Sequence, residues 1–240
     1  MVIFFAFVSL IALTLVHDRS LTRFRTKSWE DWVLDLVGLG LQGLVIPLLQ
    51  ITVVYRLYQS LWPTLQGIVV IPGSLAFLLS FVLVDYLYYW NHRLLHTRWL
   101  WPWHQVHHTV TQMDVLGTSR NSLGSSFLIL YLWVHTLALY LLQDPRGYLV
   151  GVSLTAMLDL WRHSELNPAS DSPVGGFLSP WLILPQDHTL HHDPTLSPGY
   201  YGANLKLWDR LHGTDRLSLL SSATLFPELP LIRKLFWPFP

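Results

Sequence analysis

Apolar positions along this chain come in long blocks instead of alternating with polar ones. Residues 1–16 (MVIFFAFVSLIALTLV) are apolar from the first position, and 33–55 (VLDLVGLGLQGLVIPLLQITVVY) and 68–90 (IVVIPGSLAFLLSFVLVDYLYYW) follow. Residues 123–142 make a fourth block and 148–162 a short fifth. Apolar runs of about 20 residues are too long for strands and match the hydrocarbon thickness of a bilayer, so they predict helices that cross it. The first block is short, which implies tilt or local thinning. Its positive charge comes afterwards, in HDRSLTRFRTK, whereas a cleavable signal peptide carries that charge first, so a retained anchor is expected. Pro47 and three glycines interrupt the second block, and an aromatic cluster of interfacial type ends the third. The fourth and fifth blocks, joined by QDPRG, fit either two spans or a hairpin dipping into the membrane. The tail, FPELPLIRKLFWPFP, alternates proline with bulky apolar residues and is expected on the membrane surface. The predicted fold is all-α: a polytopic membrane bundle of four or five spans, forming a single domain over residues 1–240. Residues 1–84 are its N-terminal spans and 215–240 its apolar tail.

Composition supports this pattern. Charged residues are 12% of the chain, against roughly 25% in soluble domains, and apolar residues 51%, with a mean hydropathy of +0.36. A formal net charge of zero gives nucleic acid nothing to bind. The absence of cysteine excludes disulfides, thiolate ligands and a cysteine nucleophile. Thirteen of the fifteen basic residues lie in 17–32, 91–122 and 162–240, and the other two are Arg56 and Arg146. The positive-inside rule then predicts an outside N-terminus and puts those three segments on the cytoplasmic side.

The same three segments contain most of the twelve histidines. His92 and His96 are four apart; His104, His107 and His108 stand at i, i+3 and i+4; and His188, His191 and His192 repeat that spacing. On a helix such spacings put the imidazoles on one face, where they can share a metal. Neutral imidazole suits iron, zinc, copper and nickel. Eight or nine ligands exceed the needs of one ion and suit two, at four or five each. Carboxylate-rich centres in soluble bundles use Glu-x-x-His, which is absent here, so an all-histidine or nearly all-histidine site is expected. His135, alone in an apolar block, is expected to be a packing residue, and His17 an interfacial one. His212, in DRLHGT, is expected outside the metal set.

The order HRLLH, HQVHH, a later His-Ser and HTLHH, followed by YYGANLKLWDRLHGT, resembles the fatty acid hydroxylase / sterol desaturase superfamily of membrane di-iron enzymes. The likeness runs from about Asp85 to Thr214, making 85–214 the expected catalytic region. The chain keeps the family's arginine at Arg120 but lacks the His-Pro that often follows it, and carries His212 where an aromatic is common. The resemblance implies that His92, His96, His104, His107, His108, His188, His191 and His192 ligate two irons, with His163 as a ninth ligand. It also implies O2 as co-substrate and oxidation of an unactivated C–H bond in a lipid. Zinc is expected as an adventitious replacement, because imidazole sites bind it more tightly than ferrous iron.

Hydroxylation is the first expectation and desaturation at the same centre the second. A metal transporter is the rival from another class, but transporters place ligands near the bilayer midplane, whereas these boxes lie beyond the span ends. A zinc hydrolase is disfavoured by the absence of HExxH. No Gly-rich dinucleotide motif is present, so electrons are expected from a separate donor of the ferredoxin or cytochrome b5 type. Asp159, four residues before His163, is expected on the same helix face, as an acceptor from His163, as a ligand, or paired to Arg162.

Overall fold

A computed structural model describes residues 2–16, 22, 25–110, 113–222 and 228–239. His17 lies outside the described residues. Secondary structure is helical, and the only strand-like pairings among the described residues are isolated bridges such as Val69 with Leu142. The principal helices are α1 (Val2–Val16), α2 (Trp29–Leu61), α3 (Gly73–Leu95), α4 (Trp101–His108), α5 (Tyr131–Leu141) and α6 (Arg146–Arg162). Shorter ones follow: α7 (Pro173–Leu178), α8 (Pro185–His191), α9 (Leu207–His212) and α10 (Leu231–Phe236).

Two helices among the described residues, α2 and α3, are long and apolar enough to cross a membrane. Both point large apolar side chains outward, for example Leu44 at 69% and Ile51 at 62% exposure. Such a continuous exposed apolar surface is stable in hydrocarbon and not in water, and it marks a membrane protein. The Ser28 hydroxyl caps α2 by accepting from the Asp31 N–H, with Glu30 and Asp31 in the favourable first turn. Pro47 does not end the helix: π-helical turns at Leu41–Val45 and Gln50–Val54 flank it and absorb its missing donor. The third apolar block is displaced from the expected 68–90, because the helix begins only after Pro72 and runs on through the first histidine box to Leu95.

The expected fourth span, 123–142, is not one helix. It divides into a single turn at Ser125–Leu128 and α5, whose 11 residues rise only about 17 Å, roughly half a bilayer core. α5 and α6 form a hairpin whose tip meets the α2–α3 loop. There the Gly67 N–H donates to the Tyr140 carbonyl (2.9 Å) and the Gln143 N–H to that of Val69 (3.0 Å). At the same end a Cβ on Gly147 would fall 2.1 Å from the Gly73 carbonyl oxygen, so glycine is what lets α6 approach α3. α1 packs along α6.

The core lies in the seams between these helices. Ile46, Val54 and Tyr58 of α2 pack on Leu132 and Tyr140 of α5, and Ala76 and Val84 of α3 on Tyr148 of α6. The tail, expected on the membrane surface, packs one side against the protein and leaves Ile232, Phe236 and Trp237 exposed. Leu235 of α10 is buried with Leu34 and Val106, the Leu123 N–H donates to the Leu235 carbonyl, and the Gln105 side chain donates to that of Pro238. The tail therefore clasps α4, the helix carrying the second histidine box.

Candidate metal centre

Four helices end on one place. α3 is capped by His96, α4 finishes at His108, α6 is capped by His163, and α8 by His192. Helix C-termini carry partial negative charge and their last carbonyls lack helical partners, so four of them converging favour bound cations.

The nine predicted histidines are all here, and they divide into two sets. His92, His96, His104, His108 and His191 form one; His107, His163, His188 and His192 form the other. Within each set every pair of ligand atoms lies within 4.8 Å. The two HxxHH boxes are split in the same way: the i and i+4 members enter one set and the i+3 member crosses to the other. The sets abut, with the His108 and His192 rings stacked 4.3 Å apart.

Several Nε2 atoms face each other at coordination distances: His92 to His104 at 3.1 Å, His104 to His108 at 3.2 Å, His163 to His188 at 2.9 Å and His188 to His192 at 3.2 Å. Imidazoles bound to one ion at about 2.0–2.1 Å have adjacent nitrogens about 3 Å apart. The Nε2 atoms of His96 and His191 are buried with no hydrogen-bond partner. Unpaired lone pairs aimed at such a centre are what a metal ion satisfies, so the residues fit two ions.

Main-chain carbonyls orient the rings. His92 Nδ1–H donates to Tyr201 (2.9 Å), His107 to Arg120 (3.1 Å), His163 to Asp159 (2.8 Å) and His191 to Gly199 (2.5 Å). A carbonyl only accepts, so each Nδ1 carries the proton and each Nε2 keeps its lone pair for a metal. Burial holds the rings neutral: His107 is pushed down to about 3 and His191 to about 4, and His104, His108, His188 and His192 well below their ordinary value.

Two of the three segments bearing these carbonyls, 199–201 and that of Arg120, are fixed by buried carboxylates whose roles the sequence did not disclose. Asp85 accepts from the N–H groups of Ala203, Asn204 and Leu205 and from the Trp208 indole, at 2.8–3.1 Å. Asp209 accepts from the N–H of Tyr201 (2.8 Å) and Gly202 (3.0 Å). Tyr200 adopts the left-handed region (φ 53°), turning the chain so that the flanking carbonyls of Gly199 and Tyr201 reach His191 and His92. On the other side, Arg120 pairs with Asp31 and Asp35 at 2.6 Å each, and Lys27 with Asp35 and Asp114. The sequence signals for this shell are Arg120, the arginine shared with the family, and the aspartates of DYLYYW and LWDR.

Other candidates fall outside both sets. Asp159 stands behind His163: its carbonyl takes the Nδ1 proton, while its carboxylate pairs with Arg162 and lies 3.4 Å from that Nδ1. His135 bonds the Tyr148 hydroxyl (2.9 Å), and His212 stacks on Tyr86 and Tyr89.

Residues 77–214 match the model of the fatty acid hydroxylase family, which is more than half the chain. Alkylglycerol monooxygenase of Danio rerio is 33% identical over 139 residues, covering 57% of this chain and 29% of that protein. An ornithine lipid hydroxylase of Rhizobium tropici is 30% identical over 148 residues, 60% of this chain and 42% of that one. A very-long-chain aldehyde decarbonylase of Oryza sativa subsp. indica is 30% identical over 166 residues, 66% and 57% respectively. The chain thus spans roughly a third to just over half the length of these relatives, and no solved structure matches it. The matched region begins about two helical turns before Asp85 and ends at Thr214, enclosing the nine histidines together with Asp85 and Asp209: the chain belongs to the fatty acid hydroxylase family.

Proposed function

We propose that the protein is an O2-dependent oxidoreductase that uses two iron ions to hydroxylate an unactivated C–H bond of a lipid. The observation that carries this is the division of the nine clustered imidazoles into sets of five and four. Two irons held there would supply the activation of O2 that attack on such a bond requires. For each C–H bond hydroxylated, one O2, two electrons and two protons are consumed and one water is released. The names of the relatives, two of them lipid hydroxylases or monooxygenases, support a lipid substrate.

The chain's own residues bind, orient and exclude water. The carbonyls of Tyr201, Arg120, Asp159 and Gly199 hold four rings with Nε2 inward. Burial keeps His104, His107, His108, His188, His191 and His192 neutral and ready to ligate. The bundle ends in apolar helices against the histidines, which suits a lipid entering from the bilayer. An open cleft of about 320 Å³, lined by His96, Trp101, His108 and His191 with Arg98 and Asp193 at its polar rim, adjoins the five-histidine set. It suits access from the aqueous side, where a separate ferredoxin or cytochrome b5 type donor would deliver electrons. We place the boxes on the cytoplasmic side, with the basic segments, in a multi-pass bundle. Ligand candidates at helix ends, and not at a bilayer midplane, favour this reading over metal transport.

Mass spectrometry of lipid extracts from cells with and without the protein tests the proposal. A lipid gaining one oxygen atom supports hydroxylation; one losing two hydrogen atoms would replace it with desaturation at the same centre. No lipid change, in cells supplied with donor and iron, would overturn it.

A further inference from the structure

A second polar cluster lies one helical turn deeper in the bundle than His92. Arg162, the last residue of α6, is 4% exposed. Its Nη2 pairs with Asp159, but Nε and Nη1 are buried with no hydrogen-bond partner. The Tyr131 hydroxyl, at the start of α5, is buried and unpartnered too. Tyr131 stacks on Tyr88 of α3 (4.8 Å between ring centroids), and Tyr88 lies 5.3 Å from the His92 ring. The two tyrosines lie within electrostatic range of the guanidinium, whose charge in turn reaches His188 and His191. Two helices, α5 and α6, thus bring unpaired hydrogen-bonding groups to the edge of the histidine sets, with Tyr88 of α3 stacked between Tyr131 and His92.

Buried donors without partners are costly and rare, so three in one cluster point to a ligand that accepts. The Arg162–Asp159 pair is already neutral. A hydroxyl, ether or carbonyl oxygen can accept from these donors. A saturated hydrocarbon offers no acceptor.

We propose that Arg162 and Tyr131 hold an oxygen function of the lipid substrate, so that the carbon oxidised is close to that oxygen and not far along the chain. This rests on the lipid-oxidising reading above. It makes Arg162 and Tyr131 residues that determine both substrate class and position of attack.

The test is binding of two probes of equal chain length, 1-hexadecanol and hexadecane, to the metal-loaded, unreduced protein in detergent, where no turnover occurs. The wild type should bind hexadecanol about tenfold or more tighter than hexadecane. Tyr131→Phe keeps the ring stack and removes the hydroxyl; it should cut the preference for the alcohol by about two- to tenfold with metal content unchanged. The neutral pair replacement Arg162→Leu with Asp159→Asn should abolish it, and should that variant lose metal, Tyr131→Phe alone decides. An undiminished preference in Tyr131→Phe would mean that the cluster holds an ordered water only. Equal binding of alcohol and alkane would equally overturn the assignment. Failure of the oxygenase reading is distinguishable: it would show as no lipid conversion under reducing conditions while these affinities stood.

Discussion

Replacing Arg120 by Gln should separate the stability of the fold from the integrity of one half of the metal centre. The guanidinium is 1% exposed and donates to Asp35 and Asp31 at 2.6 Å and to the Thr109 carbonyl at 3.0 Å. The buried group comprises two cations, Lys27 and Arg120, against three carboxylates, Asp31, Asp35 and Asp114, a formal charge of −1 that the substitution turns to −2. Asp35 keeps Lys27, whereas Asp31 loses its cation. Breaking a buried pair from one side costs about 3–5 kcal/mol, which for a chain of this size lowers the melting midpoint by roughly 6–20 °C. The Arg120 carbonyl also fixes His107, so displacement of its segment should weaken metal binding at the four-histidine set by about 10–100-fold. The five-histidine set, which takes no ring from that carbonyl, should be less affected. Thermal melting in detergent, together with metal titration by mass spectrometry, measures both effects. Adding Asp31→Asn should recover part of the midpoint, because it removes the stranded charge, without restoring the metal. If Arg120→Gln melted within about 2 °C of wild type and held both metals at full affinity, the buried network would not be the support described here.

Three further outcomes follow from the same structure. Asp159→Asn should weaken metal binding at the four-histidine set about tenfold through His163, and unchanged affinity would reject that role. In the metal-free protein, the unfolded chain binds protons near pH 6.5 that folded His107 and His191 refuse until about 3 and 4. Stability present above that pH should therefore fall on acidification, by about 1.4 kcal/mol per pH unit for each such histidine, and a flat melting curve between about pH 7.5 and 5 would contradict this. Gly147→Ala should cost about 1–3 kcal/mol, read as a lower melting midpoint, since its Cβ would fall on the Gly73 backbone.

Much of this protein is legible from local pattern. Long apolar blocks specify membrane helices because a bilayer demands length and internally satisfied backbones, both of which are linear properties. The i, i+3, i+4 spacing of HQVHH and HTLHH specifies ligand faces because helical periodicity is local, and all nine predicted histidines meet. What spacing leaves open is which histidine serves which ion. His107 and His191 cross to the opposite set because four helix ends approach from different directions, and a direction of approach is not written in one helix. The oblique packing of α3, α4, α6 and α8 decided that division. Tertiary contacts likewise decided that 123–142 is a turn and a half-length helix, and that the tail clasps α4. The carbonyls of Tyr201, Gly199 and Arg120 were invisible in the sequence because every residue has a carbonyl; only long-range bonds from Asp85, Asp209, Asp31 and Asp35 determine which ones face an imidazole.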